Sequence, residues 1–151
     1  MRIFHRETVT ATLRQGPNPP EVDVVAEGVQ ALLTLPVSLG GEPRTDSTNP
    51  EQLFGSALSG CMTFALEHTL RRLHRRPEDL VGLRVTAEVR IGRAADRTNR
   101  LEADLWIDLP GVEQDRAEAL CAEATRYCPF HQAIKGNVET TMTVTGRPPT
   151  A

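Results

Sequence analysis

The chain has 151 residues, a net charge of −3 and 25% charged residues. That length supports one domain with a hydrophobic core, and the negative balance argues against a general nucleic-acid binder. Aromatic residues are only 4% of the chain, so the core must be mostly aliphatic, and no apolar stretch is long enough to span a membrane.

At the start, Met1 to Arg6 is followed by no apolar run, so no signal peptide is expected. Thr8 to Leu13 is a β-prone run. Arg14 to Pro20, with a glycine and three prolines, breaks it and reads as a loop. Val22 to Ala26 and Val29 to Leu35 read as two further strands, with Glu27-Gly28 as the turn between them. A polar loop over 40–47 leads to the strongest local signal in the chain. Asn49 can cap a helix, Pro50 suits its first position, Glu51 meets the positive end of the helix dipole, and Gln52 sits three residues after the cap. Behind them run two apolar rows at a spacing of four: Leu53, Ala57, Cys61 and Ala65, and beside them Phe54, Leu58, Met62 and Leu66. The pattern predicts a helix from Pro50 to about Arg75, stopped by Pro77. Gly55, Ser56, Ser59 and Gly60 are small. Each helical glycine costs about 1 kcal/mol against alanine, which implies close packing there. Arg71, Arg72, Arg75 and Arg76 read as a solvated basic helix end rather than a nucleic-acid patch.

Leu83, Val85, Ala87, Val89 and Ile91 alternate with mostly polar residues, as do Leu101, Ala103, Leu105, Ile107 and Leu109. Two such runs predict an antiparallel hairpin with one buried face, ended by Pro110-Gly111. A second helix is expected from about Glu113 to Tyr127, burying Ala117, Leu120, Cys121, Ala124 and Cys128, with Pro129 marking its end. Val138, Met142 and Val144 suggest a last strand. The expected fold is α+β: an antiparallel sheet packed on two main helices, in a single domain over 1–151.

An odd count of three cysteines does not suggest a secreted disulfide framework. A cytoplasmic protein is expected, where paired cysteines tend to be catalytic or metal-binding. Alone, Cys61 in the middle of an apolar face reads as a small core residue. Cys128, however, lies at the end of the second helix, and both helices turn their apolar faces to the same core, so the two sulfurs can approach each other. With Asn49-Pro50-Glu51-Gln52-Leu53-Phe54, the helix-borne Cys61, Cys128-Pro129-Phe130, Gly136-Asn137 and the Leu109-Pro110-Gly111 turn, nearly the whole chain resembles the organic hydroperoxide resistance (Ohr) proteins of the OsmC superfamily.

That resemblance implies a thiol peroxidase. Cys61 would be the peroxidatic residue, and Cys128 would resolve its sulfenic acid by closing a disulfide, so preventing over-oxidation. A free thiol ionises near pH 8.5 and apolar surroundings raise that value, so an activating cation is needed. In the family this is an arginine from the loop after the first strand, held by the glutamate of the helix start. Glu51 matches the glutamate. Arg14 is the nearest match for the arginine, although its neighbours Leu13 and Gln15 depart from the family pattern, and Arg44 is the alternative. Leu53, Phe54, Met62 and Phe130 are candidates to line an apolar pocket that would favour bulky organic or fatty-acid hydroperoxides. The resemblance also implies an intertwined homodimer reduced by lipoyl-type dithiols, with no bound cofactor. In a straight helix Glu51 and Cys61 are about 15 Å apart along the axis, so Glu51 is expected to serve Cys61 of the other chain.

Two rivals remain at this level. Cys121, Cys128 and His131, with Cys61 as a fourth ligand, could form a metal site, although the spacing matches no common zinc pattern. The other rival is a non-catalytic OsmC-like protein that binds small apolar molecules.

Overall fold

A computed structural model describes residues 3–16, 18–73 and 77–148. The chain divides into two compact units, Met1–Leu53 and Phe54–Ala151. In the first, β1 (Thr10–Leu13), β2 (Val22–Ala26) and β3 (Val29–Leu33) form an antiparallel meander in which Val24 pairs with Ala11 on one side and Ala31 on the other. The β2–β3 turn falls on Glu27-Gly28, where Gly28 adopts the left-handed φ of 74° that other residues resist. β3 stops short of the expected Leu35 because its partner β2 begins at Val22, opposite Leu33; beyond that pair, Thr34 N–H donates to the Thr48 carbonyl at 2.9 Å. Asn49 caps the following helix as its sequence position predicts: its Oδ1 accepts the Gln52 N–H at 2.8 Å.

That helix, α1 (Pro50–Arg72), starts in the first unit and continues through the second. It ends before the expected Arg75. Arg75 and Arg76 of the predicted basic end lie outside the described residues. The second unit also contains β4 (Arg84–Arg93), β5 (Asn99–Glu113), α2 (Gln114–Ala124), α3 (Pro129–Ile134) and β6 (Glu139–Arg147). β4 and β5 form the expected antiparallel hairpin, with Val85 opposite Ile107 and Val89 opposite Ala103. Their alternation sorts the side chains. Ala103, Leu105, Ile107 and Leu109 are fully buried, while Glu102, Asp104, Glu88 and Arg90 make ion pairs along the other face.

Three expectations need correction. Pro110-Gly111 does not end the hairpin: β5 continues to Glu113, with its register against β6 shifted between Leu109 and Glu113. β6 pairs with β5 in parallel, not antiparallel, because α2 and α3 form a crossover that returns the chain to the same end of the sheet. Pro129 begins a third helix and does not close the second. It occupies the first helical position, where its missing N–H leaves no gap.

One apolar core fills the second unit. Leu58, Met62, Leu66 and Leu70 of α1 meet the inner residues of β5, together with Ala117, Leu120, Cys121 and Ala124 of α2. Gly55 shows why α1 is small at that level: a Cβ there would lie 3.3 Å from Val89 Cγ2. No helix among the described residues is long and apolar enough to cross a membrane.

Candidate active site

The helical rows read from the sequence divide the work of α1 between core and site. Leu58, Met62 and Leu66 are fully buried, whereas Ala57 and Cys61, on the neighbouring row, are only half-buried. Cys61 therefore sits where the core meets an opening. Cys128 reaches the same point from the other side of the core. The hydrogen bonds of the residues after α2, including Cys128 N–H to the Ala124 carbonyl at 3.1 Å, fold the chain tightly back into α3. Cys128 then caps α3, its sulfur accepting the His131 N–H at 3.4 Å.

The two sulfurs are 3.2 Å apart, and both cysteines are free thiols. The Cys128 thiol donates to the Cys61 sulfur. The separation exceeds a disulfide bond by only about 1 Å. Their surroundings differ in one decisive respect. Cys128 has no exposed surface, and burial first, with the neighbouring Cys61 sulfur also contributing, pushes its thiol up to about 11 despite the His131 N–H. Cys61 instead lines a cavity of about 610 Å³. Cys61 is therefore the thiol of the pair that faces the cavity, with Cys128 buried beside it. Cys121 lies on the buried face of α2, and burial pushes it up to about 12, so it behaves as a core residue.

Gly60, Phe64, Ala65 and Phe130 give the cavity its apolar wall, and His68 and Tyr127 also border it. A Cβ at Gly60 would meet nothing within 4 Å, so this glycine leaves open space beside Cys61. Of the residues expected to line a substrate pocket, Phe130 borders this cavity. Met62 is fully buried in the core, and Phe54 packs against that core. Leu53 belongs to the first unit and is 37% exposed. Sequence reading missed Phe64, His68 and Tyr127. Their signal was present: Phe64 and His68 follow Cys61 at three and seven residues, on one helix face, and Tyr127 directly precedes Cys128.

Within the first unit, Glu51 occupies the first turn of α1, and its Oε2 is buried without a hydrogen-bond partner. A buried carboxyl oxygen left without a partner is costly. Neither candidate arginine supplies one within this chain. Arg14 grips Asp23 through two bonds of 2.8 Å and reaches Glu21 at 3.0 Å. Arg44 holds Asp46 through bonds of 2.9 and 2.8 Å and shares Glu21 at 2.6 Å. The hydrogen bond from Arg44 lowers the Asp46 carboxyl to about 2, and Arg14 likewise holds Asp23 below its ordinary value. Both guanidiniums are thus committed to carboxylates of their own unit. No group of three or more His, Cys, Asp or Glu side chains among the described residues could hold a metal ion, and this leaves the expected rival metal site without a ligand cluster.

Comparison with known proteins identifies the class to which this frame and its paired thiols belong. The family model for OsmC-like proteins matches residues 41–143. An organic hydroperoxide resistance protein-like 2 from Staphylococcus epidermidis is 32% identical over 119 residues, covering 79% of this chain and 81% of the relative. Organic hydroperoxide resistance protein OhrA of Bacillus subtilis is 33% identical over 118 residues, covering 75% and 81%. The crystal structure of an organic hydroperoxide resistance protein from Elizabethkingia anophelis superposes with a TM-score of 0.84 at 29% identity, covering 97% of this chain and 99% of that one. The chain belongs to the OsmC-like family of organic hydroperoxide resistance proteins.

Proposed function

We propose that this protein is a thiol-dependent peroxidase that reduces organic hydroperoxides, fatty-acid hydroperoxides among them, in the cytoplasm. The observation that carries this reading is the 3.2 Å approach of Cys61, at an apolar cavity, to the fully buried Cys128. The Cys61 thiolate attacks the terminal oxygen of the hydroperoxide. The O–O bond breaks, the alkoxide leaves and takes up a proton, and Cys61 becomes a sulfenic acid. The Cys128 sulfur then displaces its hydroxyl as water and forms the Cys61–Cys128 disulfide. A dithiol, of lipoyl type in this reading, reduces the disulfide and is itself oxidised. Burial of Cys128 favours the neutral thiol, so the two cysteines do not compete as first nucleophiles.

Two further roles belong to the same reading. In this reading Glu51 holds the activating arginine, Arg14 by position or else Arg44, once that side chain leaves the carboxylates it grips in the single chain. The first unit carries one buried hydrophobic side chain, Val24, among its described residues. Its need for further cover supports an intertwined homodimer, in which the two units make one domain and each active site draws on both chains. The unpartnered Oε2 of Glu51 supports the same assembly.

One equivalent of a lipid hydroperoxide should convert Cys61 and Cys128 to a disulfide and leave Cys121 free, as read by peptide mapping. Cys121 in the bridge would overturn the assignment. Refolding Cys61→Ser together with Glu51→Ala tests the shared site. Random mixing should restore roughly a quarter of wild-type activity if Glu51 acts in trans, and none if it acts within its own chain.

A further inference from the structure

The cavity beside Cys61 is apolar along most of its wall, but His68 and Tyr127 also line it. Cys61, Ala65, His68 and Arg72 follow one another at spacings of four, three and four, so they form a single stripe along α1. His68 borders the cavity and packs edge-on against Tyr127, with ring centroids 5.6 Å apart. Arg72, one turn further on, lies over the same Tyr127 ring, its guanidinium carbon 4.9 Å from the centroid, and donates to the Tyr127 hydroxyl. The stacking and the hydrogen bond hold the guanidinium against Tyr127, itself a residue of the cavity wall, yet a hydroxyl and a ring neutralise none of its charge. The nearby acids are engaged elsewhere: Glu67 pairs with Arg71, and Glu123 pairs with Arg126. Among the described residues no carboxylate meets Arg72.

We propose that Arg72, steadied by Tyr127 beside His68, is a specificity-determining residue that receives the anionic group of a long-chain ligand whose reactive part lies at Cys61. The proposal rests on reading the cavity as the hydroperoxide site, and it adds the residue that recognises the carboxylate of a fatty-acid hydroperoxide, far from its O–O bond. Geometry sets the length. Eleven residues at 1.5 Å each separate Cys61 from Arg72, about 16 Å along the helix, so a short hydroperoxide that fills the wall near Phe64 cannot reach the cation. The fork of Arg72 suits a carboxylate. Between Cys61 and Arg72, Phe64 and Ala65 offer its chain an apolar path, which His68 and Tyr127 border.

Binding tests this without turnover. The probes are a long-chain hydroxy fatty acid, chemically the product of such a hydroperoxide, and its methyl ester, both titrated calorimetrically into the full chain. The wild type should bind the acid about tenfold or more tightly than the ester, since a hydrogen bond to a charged group is worth that much, and added salt should shrink the ratio. Arg72→Met, which keeps the stem over Tyr127 but removes the charge, should bring the ratio close to one. Arg72→Lys should preserve most of it. Equal binding of acid and ester by the wild type, or an undiminished ratio in Arg72→Met, would overturn the proposal. A parallel assay with the corresponding hydroperoxides and a dithiol keeps the two readings apart. Failure to consume either hydroperoxide removes the peroxidase reading, while the binding ratio still decides the role of Arg72.

Discussion

The two units of this chain are built on different physics. The second is a sheet-and-helix body in which α1, β5 and α2 bury a continuous set of aliphatic side chains. In the first, Val24 is the one buried hydrophobic side chain among the described residues, and arginines gripped by carboxylates supply most of the specific contacts. Its sheet nevertheless has an apolar face. Leu13, Val22 and Leu33 are register partners there, as are Ala26 and Val29, and they lie on the side of Val24. Leu13 and Val29 on this face are more than half exposed. A three-stranded sheet needs a covered hydrophobic face to persist, and exposed ion pairs contribute little stability. The contrast suggests a body that supports its own thiols and a sheet whose apolar face awaits cover.

The largest expected effect tests whether the chemistry resides in the second unit. Cys61→Ser should lower hydroperoxide turnover with a dithiol by about three orders of magnitude or more, and full activity in that variant would end the peroxidatic assignment. Next comes the contrast in packing. Leu66→Ala, which opens a hole in the core, should cost about 2–5 kcal/mol in denaturant unfolding. Val24→Ala removes two methylene equivalents and should cost about 1.5 kcal/mol. Equal costs would erase the distinction between the units.

Covering of the first sheet is tested by Val29→Asp. In the chain alone this is a surface substitution, expected to change stability by no more than about 0.5 kcal/mol. If a second copy covers the face, sedimentation should instead show the variant shifted to monomer at concentrations where the wild type is dimeric.

The smallest effect is a pH dependence confined to the second unit. Burial raises Cys128 to about 11 and Cys121 to about 12, from an ordinary thiol value of 9.0. Above that ordinary value the unfolded chain loses these protons while the folded chain keeps them, so stability is full below it and falls as pH rises toward the folded values. By pH 9 the loss should be about half a kcal/mol per thiol. Replacing Cys121 with alanine should remove its share of the slope, and an unchanged alkaline slope in that variant would refute the burial argument for this residue.

What the sequence determined by itself was local. Asn49 and Pro50 announced the start of α1 because capping depends on residues three apart. The alternation over β4 and β5 revealed the buried face of the hairpin because side chains in a strand point to opposite sides in turn. Gly28 marked its turn through a backbone conformation available mainly to glycine. The two thiols were legible as a pair only because each lay on a helix face expected to enter the core. Tertiary structure decided the rest. Whether β6 ran parallel or antiparallel depended on the crossover through α3, a helix that Pro129 begins although its residue type reads equally well as a stop. The commitment of Arg14 and Arg44 to Glu21 depended on residues 7 and 23 positions away. The meeting of Tyr127 with His68 and Arg72 joined α1 to the turn before α3, with Arg72 and Tyr127 55 positions apart in the chain. Periodicity records which face of an element is apolar, but which faces meet is settled by packing among distant segments, whose energies no local window contains.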